Sequence, residues 1–280
     1  MDKTKVNKSM IKFENYLVTN KHVSLLTARG YSRSLSIALR RMEKFIPKYD
    51  DVIEHIVWMK KKFSYSHITN TMIAIERYLE YKGQPITLSR PRKPQRILKD
   101  FLTEAEITRI IAASNICIRK KAMITLLAYS GIRNVEFCNL KVKDVDLGNN
   151  EITVTHGKNF KERITNISSE CTNVLIEYLK HYPREDNECL FTTLQKGNKL
   201  ASADLRKHVK ILAMKAGIEK RVYPHKFRHS LASNLLQRGA NIVLIKNQLG
   251  HVFIETTMLY VRSLSYREKS QYDYYKPAYM

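Results

Sequence analysis

Residues 223–260, YPHKFRHSLASNLLQRGANIVLIKNQLGHVFIETTMLY, govern how the rest of the chain is read. Pro224 suits the first turn of a helix, and His225 and Arg228, three residues apart, share one face of it. Leu249-Gly250-His251 reads as a second helix closed by a glycine cap, which presents His251 in a turn. Tyr260 then falls in a short amphipathic helix, IETTMLYVR. Singly, each has a plainer reading: a tyrosine on an apolar face is usually core, and a histidine is usually a satisfied structural imidazole. Together, a base, a guanidinium, a second imidazole and a phenol are the parts of a covalent phosphoryl-transfer site.

Outward from this stretch, composition narrows the partner. The chain has 280 residues with 49 basic and 26 acidic side chains, a formal net charge of +23. The excess is spread along the chain, which favours a polyanion, above all nucleic acid, over a membrane surface. A hydrophobic content of 44% argues against disorder and allows about two domains. No apolar run approaches a membrane span, and the polar N-terminus lacks a signal-peptide core. Cys117, Cys138, Cys171 and Cys189 have no metal-type spacing and read as reduced thiols, so a soluble cytoplasmic protein is expected.

Residues 1–88 read as an all-helical module. MIKFENYLV, TARGYSRSLSIALRRMEKFI, DDVIEHIVWMKKKF and SHITNTMIAIERYLEYKG each step their apolar residues by three and four. Arg29, Ser32, Arg33, Arg40, Arg41, Lys60, Lys61 and Lys62 are expected on the outer faces, and Trp58 in the core. Such faces are commonly just solvated, yet so many cations suit a grip on DNA phosphates, with Arg33, Arg40 and Arg41 as candidates. Residues 89–100, SRPRKPQRILKD, are Pro-rich and basic and read as an extended linker. Arg92, Lys93 and Arg96 there are further DNA-binding candidates.

Residues 101–280 form the expected second domain. Thr103 and Glu106 make a capping box, and KAMITLLAYSG is an apolar helix ending at Gly131. VKDVDLGNNEITVTHGKNFKERITNIS alternates like three antiparallel strands, and two helices, SSECTNVLIEYLKHY and ASADLRKHVKILAMKAG, follow. The fold class expected is mainly α with a small antiparallel β-sheet (α+β) in the catalytic domain, arranged as a two-domain DNA clamp.

Three more elements join the opening stretch: Arg133 and Glu136 in YSGIRNVEFCNL, Lys158 at a hairpin tip in HGKNFKER, and His229 behind Arg228. In this order and spacing the chain from about Thr103 to Tyr260 resembles the tyrosine recombinase, or phage integrase, family. The motifs are Gly131-x-Arg133-x-x-Glu136, Gly157-Lys158 with Lys161 and Arg163 behind it, His225-x-x-Arg228-His229-Ser230, and Leu249-Gly250-His251 followed by Thr256, Thr257 and Tyr260. Departures are Asn159 where the family often has glycine, and Phe137 and Phe227 where leucine is usual. With no arm-type domain expected ahead of the helical module, the chain resembles the compact Xer-like branch, archaeal Xer proteins included.

The resemblance implies that Tyr260 is the nucleophile, forming a 3′-phosphotyrosine and freeing a 5′-hydroxyl. Negative charge builds on the non-bridging oxygens, and Arg133 and Arg228 are suited to hold it because guanidinium offers paired donors that do not titrate away. His225 is the candidate proton acceptor, although neighbouring cations that lower the phenol pKa would make a dedicated base unnecessary. Lys158 is the candidate acid for the leaving oxygen, and His251 a hydrogen-bond donor to phosphate. Glu136 is expected to orient or neutralise an arginine, with a plain helix-capping role as the alternative. His229 supports the site or is a buried hydrogen-bonding residue; His156 is read as structural or solvent-facing. Acidic residues do not cluster as two-metal ligands and no P-loop appears, so neither metal nor ATP is expected.

The function these observations imply is site-specific DNA recombination on double-stranded DNA at a short site, with Xer-type chromosome dimer resolution foremost. A homo-tetramer would form at synapsis through the Tyr-rich tail after Tyr260, with no membrane involved. Alternatives are a mobile-element integrase or resolvase, type IB topoisomerase-like relaxation, and a DNA-binding protein without catalysis.

Overall fold

The computed structural model describes residues 3–92, 101–155, 162–193, 197–250 and Thr257, with side chains from Ser9 onward. Lys93, Arg96, His156, Lys158, His251, Tyr260 and the tail beyond lie outside the described residues. The chain divides into two compact units, residues 1–95 and 96–280.

Among the described residues, four helices build the first unit: α1 (Lys3–Lys21), α2 (Leu25–Met42), α3 (Tyr49–Lys60) and α4 (Tyr65–Tyr81). Ser24 starts α2, its Oγ accepting from the Thr27 amide at 3.3 Å. The apolar pattern predicts that this helix reaches Ile46; instead Glu43 turns left-handed at φ 55° and ends it. Phe13, Leu17, Leu35, Leu39 and Tyr78 are fully buried, with Phe13 edge-on to Tyr78 at 5.4 Å. Each large side chain so buried stabilises by about 1.5–3 kcal/mol.

Two expectations change here, one outward-facing and one core. Ser32 is buried, because it falls in line with Ala28, Leu35 and Leu39 on the inner face of α2. Trp58 is only half-buried, and the Arg41 guanidinium lies 3.9 Å from its ring centroid, with Lys62 at 5.4 Å.

The second unit contains α5 (Glu104–Ser114), α6 (Ile118–Ser130), α7 (Asn134–Asn139), β1 (Val145–Asp146), β2 (Glu151–Val154), β3 (Arg163–Asn166), α8 (Ser169–His181), α9 (Ser202–Lys215), α10 (Pro224–Gln237) and α11 (Ile242–Leu249). The Thr103–Glu106 capping box opens α5, with the Thr103 amide donating to Glu106 Oε2 at 2.8 Å. Helix α6 is buried nearly all round, Ala122 through Ala128 included, and packs against α5, α8 and α10. A helix apolar on every side belongs in a core. Phe137 and Phe191 stack in that core at 5.0 Å.

The strands form one antiparallel sheet in the order β1-β2-β3, with Ile152 opposite Val145 and Val154 opposite Arg163. On β3 the usual logic inverts: Ile164 is exposed while Thr165 is fully buried. Thr165 faces the ends of α6 and α11, where backbone carbonyls need a donor.

Candidate active site

Two turns define the site. Gly131 ends α6 with φ 64°, and a Cβ there would sit 2.9 Å from the Leu231 and Leu249 side chains. Only glycine meets both the left-handed backbone and the close approach. Gly250 ends α11 with φ 63°, and a Cβ there would collide with the Arg163 side chain.

Arg133 stands at the N-cap of α7. Its amide donates to Glu136 Oε2 at 2.7 Å and its Nη1 to Glu136 Oε1 at 2.7 Å, while Nη2 reaches the Gly250 carbonyl at 3.2 Å. Glu136 therefore caps the helix and orients the guanidinium with the same carboxylate. A second arginine shares it: Arg163 on β3 donates to Oε1 at 3.0 Å and Oε2 at 2.7 Å. Burial pushes the Glu136 pKa up, but hydrogen bonds from Arg163 and Arg133 overcome it and hold the carboxyl down at about 2. The site thus keeps one buried anion between two cations.

Arg228 comes from the start of the second turn of α10 and is 1% exposed. Its Nη1 donates to the Gly131 carbonyl at 2.6 Å and its Nη2 to the Leu249 carbonyl at 2.5 Å. Both glycine turns are thus joined through one guanidinium. Pro224 starts α10 without needing an amide partner, and it sets His225 and Arg228 on the same side. His225 is exposed at one edge while protein crowds the other; this desolvation, helped by Arg228 and Arg133, lowers its pKa. His229 lies edge-on to His225 at 4.4 Å, and burial, with His225 and Arg228 nearby, lowers its pKa to about 4. Both imidazoles are neutral at physiological pH and able to accept a proton.

Arg133, Glu136, Arg228 and His225, quoted from separate stretches of sequence, are thus gathered about the two turns, with His229 alongside. Sequence reasoning missed what holds them there. The last three carbonyls of the α11 end each accept from a different element: Gln248 O from Thr165 Oγ1 at 3.0 Å, Leu249 O from Arg228, and Gly250 O from Arg133. The negative end of the helix faces both guanidiniums. The local pattern points elsewhere: alternation in R163-I-T-N166 puts Ile164 inside and Thr165 outside, so the hydroxyl that reaches these carbonyls could not be read from the strand alone.

Arg33, Arg40, Arg41 and Arg92 belong to the first unit and are exposed. Arg40 bonds back to its own helix, its Nη2 donating to Ser36 Oγ at 2.7 Å. In the linker, Arg90 is ion-paired with Glu76. Among the described residues no group of three or more His, Cys, Asp or Glu is placed to hold a metal ion, and no helix is long and apolar enough to cross a membrane. All four cysteines are free thiols.

Residues 100–267 match the phage integrase family. The tyrosine recombinase XerA of Pyrococcus furiosus is 31% identical over 84% of this chain and 83% of its own. The tyrosine recombinase XerD of Listeria innocua is 28% identical over 95% and 97%. A crystal structure of XerA recombinase superposes with a TM-score of 0.58 at 30% identity, covering 98% of this chain and all of that one. The XerH recombinase in its post-cleavage complex with palindromic difH substrate gives 0.72 at 22% identity, covering 98% and 89%.

Proposed function

Because the chain belongs to the phage integrase family and is a tyrosine recombinase, we propose that it cuts and rejoins double-stranded DNA at a short specific site through Tyr260. The observation that carries this reading is the pair Arg133 and Arg228, held from separate helices onto the turn that leads directly into His251. Two such guanidiniums match a pentavalent phosphorus whose non-bridging oxygens gain charge.

In the proposed reaction the Tyr260 oxygen attacks the scissile phosphorus and the 5′-oxygen leaves, so the phosphodiester is conserved as a 3′-phosphotyrosine. His225, neutral at rest and 4.4 Å from the His229 ring, takes the phenolic proton. Lys158 returns a proton to the leaving 5′-oxygen, and His251 donates to a phosphate oxygen. Glu136 holds Arg133 in place. Attack by the freed 5′-hydroxyl of a second strand reverses the chemistry and completes exchange. Residues 1–88 and the 89–100 linker grip the phosphates from outside the reaction centre, through Arg33, Arg40, Arg41, Arg92, Lys93 and Arg96. Strand exchange takes place in a homo-tetramer joined by the tail beyond Tyr260.

Relatives at about 30% identity that carry Xer names favour chromosome dimer resolution as the role. The direct test is covalent trapping on nicked DNA carrying the candidate site. A denaturing gel should show a shifted band attached to a 3′ end, absent with Tyr260→Phe. A band on any duplex would replace site-specific recombination with topoisomerase-like relaxation. DNA binding without a band would leave a binding protein. Loss of the gene should leave unresolved chromosome dimers; their absence would move the role to a mobile element.

A further inference from the structure

The turns at the ends of α6 and α11 run side by side, and two residues bridge them one step apart. Thr165 Oγ1 lies 2.9 Å from Ser130 O and 3.0 Å from Gln248 O, a single hydroxyl proton shared by two acceptors. One residue further along each segment, Arg228 joins Gly131 O to Leu249 O at 2.6 and 2.5 Å. The arrangement is a two-rung ladder: hydroxyl first, guanidinium second. Gln248 fixes the first rung from the other side. Its Nε2 donates to Asn166 O at 2.7 Å and lies 3.3 Å from Ser130 O, while its Oε1 accepts from the Asn166 amide at 3.1 Å. Thr165 is fully buried and Gln248 nearly so.

We propose that Thr165 and Gln248 are positioning residues for strand cleavage, setting the separation of the two carbonyls that aim Arg228. The inference rests on the reaction proposed above. A buried carbonyl that loses its donor moves to find another, and the neighbouring rung moves with it. A displacement of the order of 1 Å at a preorganised donor slows chemistry by up to about 10²-fold. Neither side chain is placed to meet DNA, so affinity should not change.

The test compares Thr165→Val, Thr165→Ser and Gln248→Met in the full chain on nicked site DNA. Single-turnover formation of the covalent complex is measured at saturating DNA, well below each variant's melting temperature. Valine keeps the shape and removes the proton, whereas serine keeps the proton. Cleavage by Thr165→Val and Gln248→Met is expected to fall roughly 10- to 100-fold, with DNA affinity within about twofold of wild type. Thr165→Ser should recover most of the rate. Wild-type rates for Thr165→Val, or a Thr165→Ser as slow as Thr165→Val, would overturn the proposal while leaving the recombinase reading intact. A wild-type chain that binds the site and forms no adduct would instead remove that reading, and this inference with it.

Discussion

Arg41 and Arg228 carry the same guanidinium in opposite circumstances. Arg41 is exposed on α2 and rests on the face of Trp58, 3.9 Å from its centroid. Arg228 is 1% exposed and bonded to two backbone carbonyls that belong to different helix ends. A stacked surface cation keeps much of its hydration and can follow a phosphate wherever the backbone runs. A buried one has lost that freedom during folding, so it costs little further ordering when charge develops beside it. The first arrangement suits affinity and the second suits chemistry, and the two units can be taken apart experimentally along this line.

The largest break should come from Arg228→Lys. A lysine cannot join two carbonyls in one plane, and covalent-complex formation at saturating DNA should slow by roughly 10²- to 10³-fold, as for loss of one preorganised donor. A rate within threefold of wild type would put Arg228 in the same class as Arg41. Next, Glu136→Gln leaves two arginines facing a neutral amide. Unfolding in urea should show a loss of about 3 kcal/mol, and an unchanged midpoint would mean that the carboxylate is not what holds them.

Acidification should sharpen the contrast further. His229 has its folded pKa lowered from 6.5 to about 4, so the unfolded chain binds the proton first. Stability from this group is complete above about 6.5 and is lost as pH falls toward 4. Glu136, lowered from 4.5 to about 2, adds a second loss below 4.5 in the same direction. Melting temperature followed by circular dichroism should fall in the first window for wild type and less for His229→Gln; identical profiles would contradict the assignment. The smallest effect belongs to Arg41→Ala. Stability should change by about 0.5–1 kcal/mol, and the slope of log affinity against log salt should decrease by about 1. Cleavage at saturating DNA should be unchanged, and a slowed reaction there would join the two regions that the comparison separates.

Much of the fold is legible because its signals are local. The Thr103 capping box, the apolar run of α6, the turn at Gly148-Asn149-Asn150 and the left-handed cap at Gly250 each need only a few neighbouring residues. Of the residues singled out around the site, Arg133, Glu136, His225 and Arg228 are visible as motifs, though nothing in their spacing shows that the arginines meet the α11 carbonyls. Hidden features are those where a long-range partner decides orientation. Hydrophobicity puts Ile164 inside and Thr165 outside, and the reverse is found because the donor need of Ser130 O and Gln248 O outweighs a methyl group or two. Arg163 is legible as a strand cation and illegible as the second partner of Glu136, 27 residues away. Trp58 reads as core until a cation from another helix is known to cover its face.

The first described residues of the second unit carry a mechanical meaning. The Leu102 amide donates to Ser230 Oγ at 2.7 Å, and its carbonyl accepts from Asn234 Nδ2 at 3.3 Å, so one residue's backbone is stitched to α10 at both ends. The Ser230 hydroxyl in turn donates to Lys226 O at 2.8 Å, inside the turn that carries Arg228. Tension entering the chain at Phe101 is therefore delivered to the helix bearing the buried guanidinium rather than dissipated in a loose strand. The join acts as a fixed hitch, and a pull on it is felt two residues from Arg228.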